Sequence, residues 1–333
     1  MIRVAVIGYG TMGQVHSQAW QQIPGVELAV VADPDLDRRA KAKRDYGLDA
    51  VSGIEDVLAL HSVDLIDICV PTYLHEAVFK AALAADKHIF CEKPLARSAA
   101  EGEEMLRLAE GCGKKIGVGH VVRFFPAYRA MRDSVLAGEI GRGAVARTFR
   151  GGAQFPSGWH DWFADFDLSG GVILDLAIHD VDYLRWLFGD VERVYAKSTY
   201  GRTTAHLEWA MLILRFKSGL IAHVEGCWNN FPGEFYTTAE LAGSDGLLSY
   251  DSRRTNPILK EGGGVNGEQP AVTVPESPSA KSPYLLQLED MVAAIREDRP
   301  PLVGLADALG SLRVALAAVE SAQTGQPVTI GGI

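Results

Sequence analysis

Short apolar segments alternate with amphipathic segments over the first 120 residues of the chain. The apolar segments hold few polar residues, as strands buried on both faces of a parallel sheet do, and the segments between them show helical periodicity. Strands are predicted at Ile2–Ile7, Val26–Ala32, Val63–Val70, His88–Cys91 and Lys115–Val118. Helices are predicted at Thr11–Gln22, Asp35–Tyr46, Ile54–Leu60, Leu74–Ala84 and Ala99–Gly111. Because parallel strands need right-handed crossovers, this order indicates a doubly wound α/β fold.

The pattern changes after Pro126. Strand-like segments there follow one another across short turns that contain glycine, as in antiparallel hairpins. Strands are predicted at Val191–Thr199, Leu207–Phe216, Leu220–Trp228, Phe235–Ala242 and Leu247–Tyr250, and helices at Ala127–Ala137, Gly171–Phe188, Leu285–Arg296 and Ala306–Gln323. This part is expected to be an α+β domain with a large, mostly antiparallel open sheet that carries helices on one face.

The length of 333 residues fits about two domains. We predict an N-terminal domain over residues 1–122 and a C-terminal domain over 123–333, with the last helix either staying in the second domain or packing back on the first. Hydrophobic residues make up 47% and charged residues 22%, which excludes a disordered chain. The net charge of −10 argues against binding to nucleic acid or to an anionic membrane surface.

The cysteine pattern indicates the compartment. None of the four cysteines forms a CxxC pair, so neither a zinc ribbon nor a redox dithiol is indicated, and a reducing compartment is expected. The apolar run at the N-terminus is too short to span a bilayer and lacks a cleavage pattern, and no apolar stretch of 18 residues occurs elsewhere. We therefore expect a cytoplasmic protein.

The six residues Gly8-Tyr9-Gly10-Thr11-Met12-Gly13 follow the first predicted strand and open the first helix. Gly8 would permit the tight turn, Gly10 would let a pyrophosphate approach the backbone, and Gly13 would allow close packing of helix on strand. A GxGxxG motif alone is weak, but strand, loop and helix stand here in the required order. The free N–H groups of the helix then predict a dinucleotide site and a Rossmann domain.

Asp33 ends the second strand 20 residues after Gly13, where an acid that binds the adenosine ribose belongs. A carboxylate accepts from a ribose 2′-hydroxyl and repels a 2′-phosphate, so NAD is expected rather than NADP. Arg38, one turn into the next helix, is the reservation. It would offset Asp33 if it turned toward the cofactor, but we expect it to lie on a solvated helix face.

Two further motifs carry ionisable groups. Glu92-Lys93-Pro94 follows a strand at its carboxyl end, where parallel sheets bind ligands, and Pro94 favours an extended backbone for Lys93. Asp175 and His179 stand four residues apart on a predicted helix, so they face one way. A carboxylate beside an imidazole suits a general base, although a surface ion pair is the alternative. With Asp182 the pair would make a weak metal site, and we expect no metal.

With these residues the chain resembles the Gfo/Idh/MocA oxidoreductase family, which includes glucose-fructose oxidoreductase and inositol 2-dehydrogenase. The most specific matches are Glu92-Lys93-Pro94 and the helix from Gly170 to Asp182, and the likeness extends over essentially the whole chain. The segment Val70–His75 resembles the nicotinamide-side loop of the family, with Tyr73 where many members carry asparagine.

The resemblance implies a role for each motif residue. His179 would be the general base for the substrate hydroxyl, Lys93 would stabilise the developing oxygen charge, and Asp175 would orient the substrate or the other two groups. The resemblance also implies which residues contact the cofactor, among them those of the glycine loop and the acid that binds the ribose. They are Gly8, Gly10, Thr11, Met12, Gly13, Asp33, Arg38, Pro71, Thr72, His75, Glu92 and Lys93.

The expected substrate contacts are Lys93, Asp175 and His179 together with three residues whose alternatives stay open. Arg123 would meet substrate or cofactor, or else form an interdomain salt bridge. Trp159 and Trp162 would wall the pocket, or else be ordinary packing residues. Phe163 stands where many relatives carry a basic residue, and the loop Asn229–Phe235 is expected near the pocket.

The function implied is NAD-dependent oxidation of a secondary alcohol on a sugar, cyclitol or sugar derivative, in a homodimer or homotetramer assembled through the C-terminal sheet. Two alternatives remain: a keto-sugar or aldose reductase that uses NADPH, and a non-catalytic NAD-binding regulator of the same fold. The joint presence of Lys93, Asp175 and His179 argues against the regulator, because a sensor needs no proton relay.

Overall fold

The computed structural model describes residues 1–152, 156, 158–199, 208–228, 234–254, 258–262, 272–274 and 281–331. The chain divides into two compact units. The first holds Met1–Val121, Gly158–Trp162 and Lys281–Leu312, and the second holds Val122–Ser157, Phe163–Ala280 and Arg313–Ile333. The first division lies one residue from the expected boundary at 122/123, but the first unit also takes in two later stretches of chain. In neither unit do the described residues form a helix with the length and apolar character needed to cross a membrane.

The secondary structure follows the predicted order closely in the first third of the chain. The helices are α1 Thr11–Trp20, α2 Leu36–Tyr46, α3 Ile54–Leu60, α4 His75–Ala84, α5 Ala99–Ala109, α6 Pro126–Leu136, α7 Phe166–Ser169, α8 Ile178–Phe188, α9 Pro283–Arg296 and α10 Leu305–Thr324. The strands of the first unit are β1 Ile2–Ile7, β2 Val26–Ala32, β3 Ala50–Val51, β4 Leu65–Ile68, β5 His88–Cys91 and β6 Ile116–Val118. Those of the second are β7 Gly143–Gly151, β8 Val191–Ser198, β9 Glu208–Phe216, β10 Ile221–Trp228, β11 Tyr236–Gly243, β12 Gly246–Asp251, β13 Ile258–Gly262, β14 Val272–Val274 and β15 Val328–Thr329.

The first unit is built on a parallel sheet of six strands in the order β3-β2-β1-β4-β5-β6. This is the doubly wound order, in which the connections change direction beside β1, and it confirms the predicted Rossmann fold. The two-residue strand β3 was not predicted, because so short a segment carries no readable periodicity. The carboxyl ends of β1, β4 and β5 lie side by side at one edge, where such sheets bind ligands.

Helix α9 completes the hydrophobic core of the first unit. Leu285, Leu288, Met291 and Val292 recur at helical spacing, are at most 6% exposed, and belong to the same buried cluster as Trp20 of α1. The alternative of packing on the first domain was raised for the last helix, α10, and not for α9, which the first unit includes in full. The division between the units falls inside α10, after Leu312.

The second unit carries a nine-stranded sheet in its described part, in the order β14-β13-β12-β11-β7-β10-β9-β8-β15. All neighbouring pairs are antiparallel except β7 and β10, so the mostly antiparallel sheet is confirmed. Strand β7 was missed, although it lies at the centre of the sheet. Its sequence mixes glycine, alanine and arginine, and its partners come from 70 or more residues later, so no local signal marked it.

The two faces of this sheet differ in polarity and burial. Along β9, Ala210, Leu212 and Leu214 are fully buried, whereas Met211 and Ile213 between them are about half exposed. The buried face contacts α8 and the turn that precedes it, through β7 and β10. The predicted helix Gly171–Phe188 is in fact a π-helical turn, Ile173–Ala177, that continues into α8.

Candidate active site

The glycine loop between β1 and α1 admits no side chain at two of its three glycines. Gly8 has a φ of +93°, and a Cβ atom there would lie 2.7 Å from the carbonyl oxygen of Cys69. A Cβ atom at Gly13 would lie 1.9 Å from the carbonyl oxygen of Gly8. The first glycine therefore makes the turn, and the last brings α1 against it, as the sequence predicted.

Gly10 has the space that a phosphate needs. Among the described residues, and apart from the chain neighbours of Gly10, the one heavy atom within 4 Å of a Cβ placed there is Nη1 of Arg38, at 3.8 Å. Gly10 is the N-cap of α1, no side chain caps the helix, and Thr11 and Met12 in its first turn reach the surface. Uncapped N–H groups and the positive end of the helix dipole are what a pyrophosphate binds. These residues fit the dinucleotide expected from the sequence.

Asp33 lies at the end of β2 and is 3% exposed. The backbone N–H groups of Tyr9 and Asp35 donate to its two carboxylate oxygens, at 2.7 and 2.9 Å. A carboxylate accepts about four hydrogen bonds, so capacity for ribose hydroxyls remains. The expectation that Arg38 lies on a solvated helix face is wrong. Its Nη1 is 3.6 Å from Asp33 Oδ2. Its guanidinium is therefore turned toward the glycine loop.

The segment Val70–His75 is tied to the Glu92–Pro94 segment by a buried histidine. The ring nitrogens of His75 lie 2.9 Å from the carbonyl oxygen of Pro94 and 3.0 Å from that of Val70. Thr72 is buried and Pro71 is half-buried, both at the start of the short 3₁₀ turn Thr72–Leu74. Both nitrogens of the His75 ring are used to hold the two segments together. A cofactor contact in this region would therefore come from other residues of these segments and not from the ring.

Lys93 follows β5 directly, at the ligand-binding edge of the parallel sheet. Its side chain is half-buried, between the buried residues Glu92 and Pro94, and its peptide bond to Pro94 is cis. The Glu92 carboxyl group, 6% exposed, faces inward and accepts the backbone N–H of Lys93 at 3.1 Å. Glu92 therefore fixes the backbone that carries the lysine.

Asp175 and His179 are singled out by exposure. Between Ser169 and Leu184 every side chain is buried except Asp175, Leu176 and His179, which are half-exposed. Asp175 lies in the π-helical turn and His179 is the second residue of α8. Wider i→i+5 turns of this kind are frequent at functional sites. The predicted pair is thus presented on an otherwise buried segment of helix.

Two buried ion pairs anchor α8 beside His179. Arg150 on β7 donates from Nε to Asp180 at 2.7 Å, and Arg123 donates two hydrogen bonds of 2.8 Å to Asp182. Arg123 is 2% exposed and lies in the same unit as Asp182. This placement favours the ion-pair alternative for Arg123, within one unit rather than between domains. Asp182 is committed to that arginine rather than grouped with His179 as a metal ligand.

The two candidate tryptophans differ in their surroundings. Trp162 is 9% exposed and makes an edge-on contact with Tyr73 of the Val70–His75 segment, with ring centroids 6.3 Å apart. Trp159 is half-buried against His160, whose φ of +53° is unusual for a residue with a side chain. Trp162 therefore packs on the Val70–His75 segment. Most of the predicted pocket loop Asn229–Phe235 lies outside the described residues.

Glu208 is a polar residue near Asp175 that the sequence analysis missed. It is 1% exposed, and a Cβ at Gly171 would lie 2.4 Å from its Oε1, so only glycine leaves it room. Its Oε2 finds no hydrogen-bond donor among the described residues. Burial raises the pKa of Glu208 to about 7; the N–H of Val172 opposes that shift and the Asp175 carboxylate adds to it. A single glutamate that begins a strand carries no signal of this in the sequence.

Comparison with known proteins identifies both parts of the chain. Residues 2–120 match the model of an oxidoreductase family with an NAD-binding Rossmann fold, GFO_IDH_MocA. Residues 128–249 match the GFO/IDH/MocA C-terminal domain. Both regions fall within the predicted domains.

Relatives and solved structures span the full length. The chain is 27% identical to myo-inositol 2-dehydrogenase of Thermotoga maritima, over 99% of this chain and 98% of that protein. It is 29% identical to 1,5-anhydro-D-fructose reductase of Ensifer adhaerens, over 99% of each. The solved structure of levoglucosan dehydrogenase in complex with NADH and L-sorbose superposes with a TM-score of 0.89 at 24% identity, over 100% of this chain and 99% of that one.

The raised pKa of Glu208 predicts a pH-dependent stability. A carboxyl whose folded pKa is about 7 against an ordinary 4.5 favours the folded state at low pH, and this contribution is lost as the pH rises through 7. Glu208→Gln removes the titration. Between about pH 5 and pH 8 the wild type should therefore lose up to about 3 kcal/mol of unfolding free energy relative to the variant.

Urea unfolding of both proteins across that range measures the difference. Glu234→Gln, at an exposed position in the same unit, serves as the matched control. Parallel pH profiles for wild type and Glu208→Gln would contradict the assignment.

Proposed function

Since the chain belongs to the Gfo/Idh/MocA oxidoreductase family, we propose that it oxidises a secondary hydroxyl group of a cyclitol, sugar or sugar derivative with NAD. The observation that carries the proposal is the half-exposed Asp175–His179 pair on an otherwise buried helix, in a chain that also holds the glycine loop and Lys93. A non-catalytic regulator would have no use for such a pair.

The side chains divide the proton transfer between them. His179 accepts the proton of the substrate hydroxyl as general base, and Asp175, four residues earlier, orients the imidazole and stabilises its protonated form. Lys93 donates a hydrogen bond to the same oxygen and stabilises the negative charge that develops on it. Bound NAD supplies the hydride chemistry, which no side chain offers. The C–H hydrogen and the O–H proton thus leave the alcohol by separate routes.

Asp33 supports NAD as the cofactor. Its carboxylate lies at the end of β2 with acceptor capacity left for a ribose hydroxyl, and a 2′-phosphate there would meet its negative charge. Arg38 Nη1, 3.6 Å from Asp33, is already paired with that carboxylate. NADP therefore remains the weaker cofactor, bound only if Arg38 releases Asp33 to meet the extra phosphate.

The reverse reaction is the second candidate. The relative from Ensifer adhaerens is named as a 1,5-anhydro-D-fructose reductase and matches over 99% of both chains. Run in reverse, His179 would donate the proton and Lys93 would polarise the carbonyl of a keto-sugar or aldose. The same residues serve both directions, so the cofactor preference and the cellular ratio of NAD to NADH decide which one runs.

Homodimers or homotetramers through the second-unit sheet are part of the proposal. The open face of this sheet exposes Met211, Ile213 and Ile221 by 45–49% each. A depression of about 370 Å³ on the same face is lined by residues that include Phe149 and His223. Exposed apolar side chains on one face of a sheet favour burial against a second copy. All four cysteines are free thiols, which supports a reducing, cytoplasmic location.

Lys93→Ala tests the assigned chemistry. It should lower kcat by roughly 100- to 1,000-fold, because the loss of one preorganised donor to a developing negative oxygen costs that much, while the Kd for NAD changes little. Initial rates of NADH formation and titration calorimetry measure the two effects. Lys80→Ala, a surface lysine paired with Glu76 on α4, is the control and should leave both unchanged. Full activity in Lys93→Ala would refute the assignment.

Asp33→Asn tests cofactor recognition. Removing the charge should weaken NAD binding and reduce the NAD-to-NADP affinity ratio by about tenfold. This is the effect expected from the loss of one charge-assisted hydrogen bond. Calorimetric titration with each cofactor gives the ratio. Asp35→Asn removes a charge two residues away, where the side chain caps α2, and should leave the ratio unchanged. An unaltered ratio in Asp33→Asn would show that this acid does not bind the ribose.

Ile213→Asp tests the assembly surface. A charge buried in the proposed interface is destabilising, so the variant should sediment as a monomer at concentrations where wild type is dimeric or tetrameric. Analytical ultracentrifugation distinguishes the species. Leu60→Asp, at an exposed apolar position in the first unit, should keep the wild-type mass. An oligomer that survives Ile213→Asp would place the interface elsewhere.

A further inference from the structure

A buried polar cluster in the first unit takes no part in the proton transfer described above. We call it the His16 cluster, and it joins α1, β4, β5 and α9; its members are His16, Trp20, Asp67, Cys69, Glu92 and Gln287. His16 and Asp67 are fully buried and Glu92 is 6% exposed. Polar groups so far from water destabilise the fold unless each finds a partner, so their contacts show what the cluster holds together.

The imidazole of His16 lies between two carboxylates. Its Nδ1 is 3.0 Å from Asp67 Oδ2 and its Nε2 is 3.1 Å from Glu92 Oε1. A neutral imidazole has one N–H and would set a lone pair against one of these carboxylates. An imidazolium donates from Nδ1 to Asp67 and meets Glu92 through Nε2 as an ion pair, since Oε1 of Glu92 has no aligned hydrogen-bond donor among the described residues. The arrangement therefore favours a cation bridging the ends of two neighbouring strands.

Two further groups donate to the oxygens of the Asp67 carboxylate. The indole N–H of Trp20 donates to Oδ2 at 2.7 Å, and the thiol of Cys69 donates to Oδ1 at 3.5 Å. Burial raises the pKa of the Cys69 thiol, which stays protonated. The His16, Asp67 and Cys69 ligand-type atoms lie within 4.8 Å of one another, but the indole N–H aimed at the same carboxylate fits a hydrogen-bonded cluster rather than a metal ion.

The remaining neighbours of the ring are neutral. The side-chain amide of Gln287 on α9 meets Nε2 of His16 at 3.2 Å, and its oxygen has no donor among the described residues. Turned by half a rotation, that amide accepts from the imidazolium with its oxygen. Phe90 and Tyr284 pack their rings near the imidazole. Burial disfavours a charged ring, but the Asp67 carboxylate, which is hydrogen-bonded to Nδ1, opposes this and raises the pKa of His16 above its usual value.

Glu92 connects the cluster to Lys93. While Oε1 faces His16, Oε2 accepts the backbone N–H of Lys93 at 3.1 Å. A Cβ atom at Gly119 would lie 2.8 Å from Oε1, so a glycine at this position leaves the carboxyl its place. Burial works against ionisation of Glu92, yet His16 and Lys93 outweigh it and lower the pKa of this carboxyl. The residue before Lys93 is thus an anion held in one orientation.

We propose that His16 is a positioning residue for Lys93: as an imidazolium it fixes Glu92 against Asp67, and Glu92 fixes the backbone of Lys93. His16 lies on α1, whose first turn is the pyrophosphate cradle. Helix α1 therefore contributes to the cofactor site through its first turn and to the position of Lys93 through His16. The inference rests on the proposed function, because it takes Lys93 as the group that stabilises the substrate oxygen.

His16→Gln is the first test. Without the bridging charge Lys93 is less well placed, and kcat should fall by about 10- to 100-fold, the effect of a misplacement of about an ångström. The KM for the polyol and the Kd for NAD should stay within about threefold, because the groups that bind are intact. Glu92→Gln should act through the same path, so the double variant should be no worse than the poorer single variant.

His88→Gln is the matched control, with the same substitution at the opposite end of β5, and should leave kcat unchanged. An equal loss in both histidine variants, or strictly additive losses in the double variant, would overturn the positioning role. Lys93→Ala separates this proposal from the proposed function. Full kcat in His16→Gln beside an inactive Lys93→Ala overturns only the positioning role, whereas an active Lys93→Ala overturns both.

The charge on His16 can be measured on the wild-type enzyme, so this test does not depend on whether the variants fold. Nitrogen-15 NMR of labelled histidine should show one ring protonated on both nitrogens at about pH 8.5, some two units above the ordinary histidine pKa. Glu92→Gln should shift that resonance while leaving the ring of His88, on which Glu92 does not act, unchanged. A spectrum in which every ring is neutral at that pH would contradict the proposed imidazolium.

Discussion

The close contact between α1 and the end of β1 is the constraint on which the proposed cofactor site, at the carboxyl edge of the parallel sheet, depends. A Cβ at Gly13 would lie 1.9 Å from the carbonyl oxygen of Gly8, so α1 starts closer to the strand than any side chain allows. This approach aims the uncapped N–H groups of α1 outward from Gly10. It also sets His16 and Trp20, on the buried face of the same helix, against Asp67. Cofactor cradle and buried cluster are two results of one packing contact.

The second unit holds the proposed acid–base pair, which is half-exposed on a helix that is otherwise buried. Asp180 and Asp182 are completely buried, and removing one partner of such an ion pair costs about 3–5 kcal/mol, so Arg150 and Arg123 fix the helix firmly. Asp175 and His179 are left as its polar, half-exposed positions. Glu208 adds a carboxyl that is half protonated near neutral pH, so the charge around Asp175 depends on pH.

Local patterns predicted those parts of the structure whose cause is local. Gly8 and Gly13 follow from a turn and a close approach that only glycine permits, and Lys93 follows from its place after a buried strand. What the sequence did not reveal depends on partners distant along the chain. β7 pairs with strands 70 or more residues later, and Arg123 meets Asp182 at a separation of 59 residues. The sequence predicted His16 only as one residue of a helix, because the two carboxylates beside it, of Asp67 and Glu92, come from distant parts of the chain.

Transfer of deuterium from substrate to cofactor tests the central claim most directly. Cyclitols and sugars deuterated at their carbinol carbons are incubated with the wild-type enzyme and NAD, and the reduced nicotinamide is isolated and weighed by mass spectrometry. At least one of them should give up deuterium to the nicotinamide ring, with no exchange into water, because hydride and proton leave separately. If NAD binds but no compound transfers deuterium, the chain is not a polyol dehydrogenase and the account is contradicted.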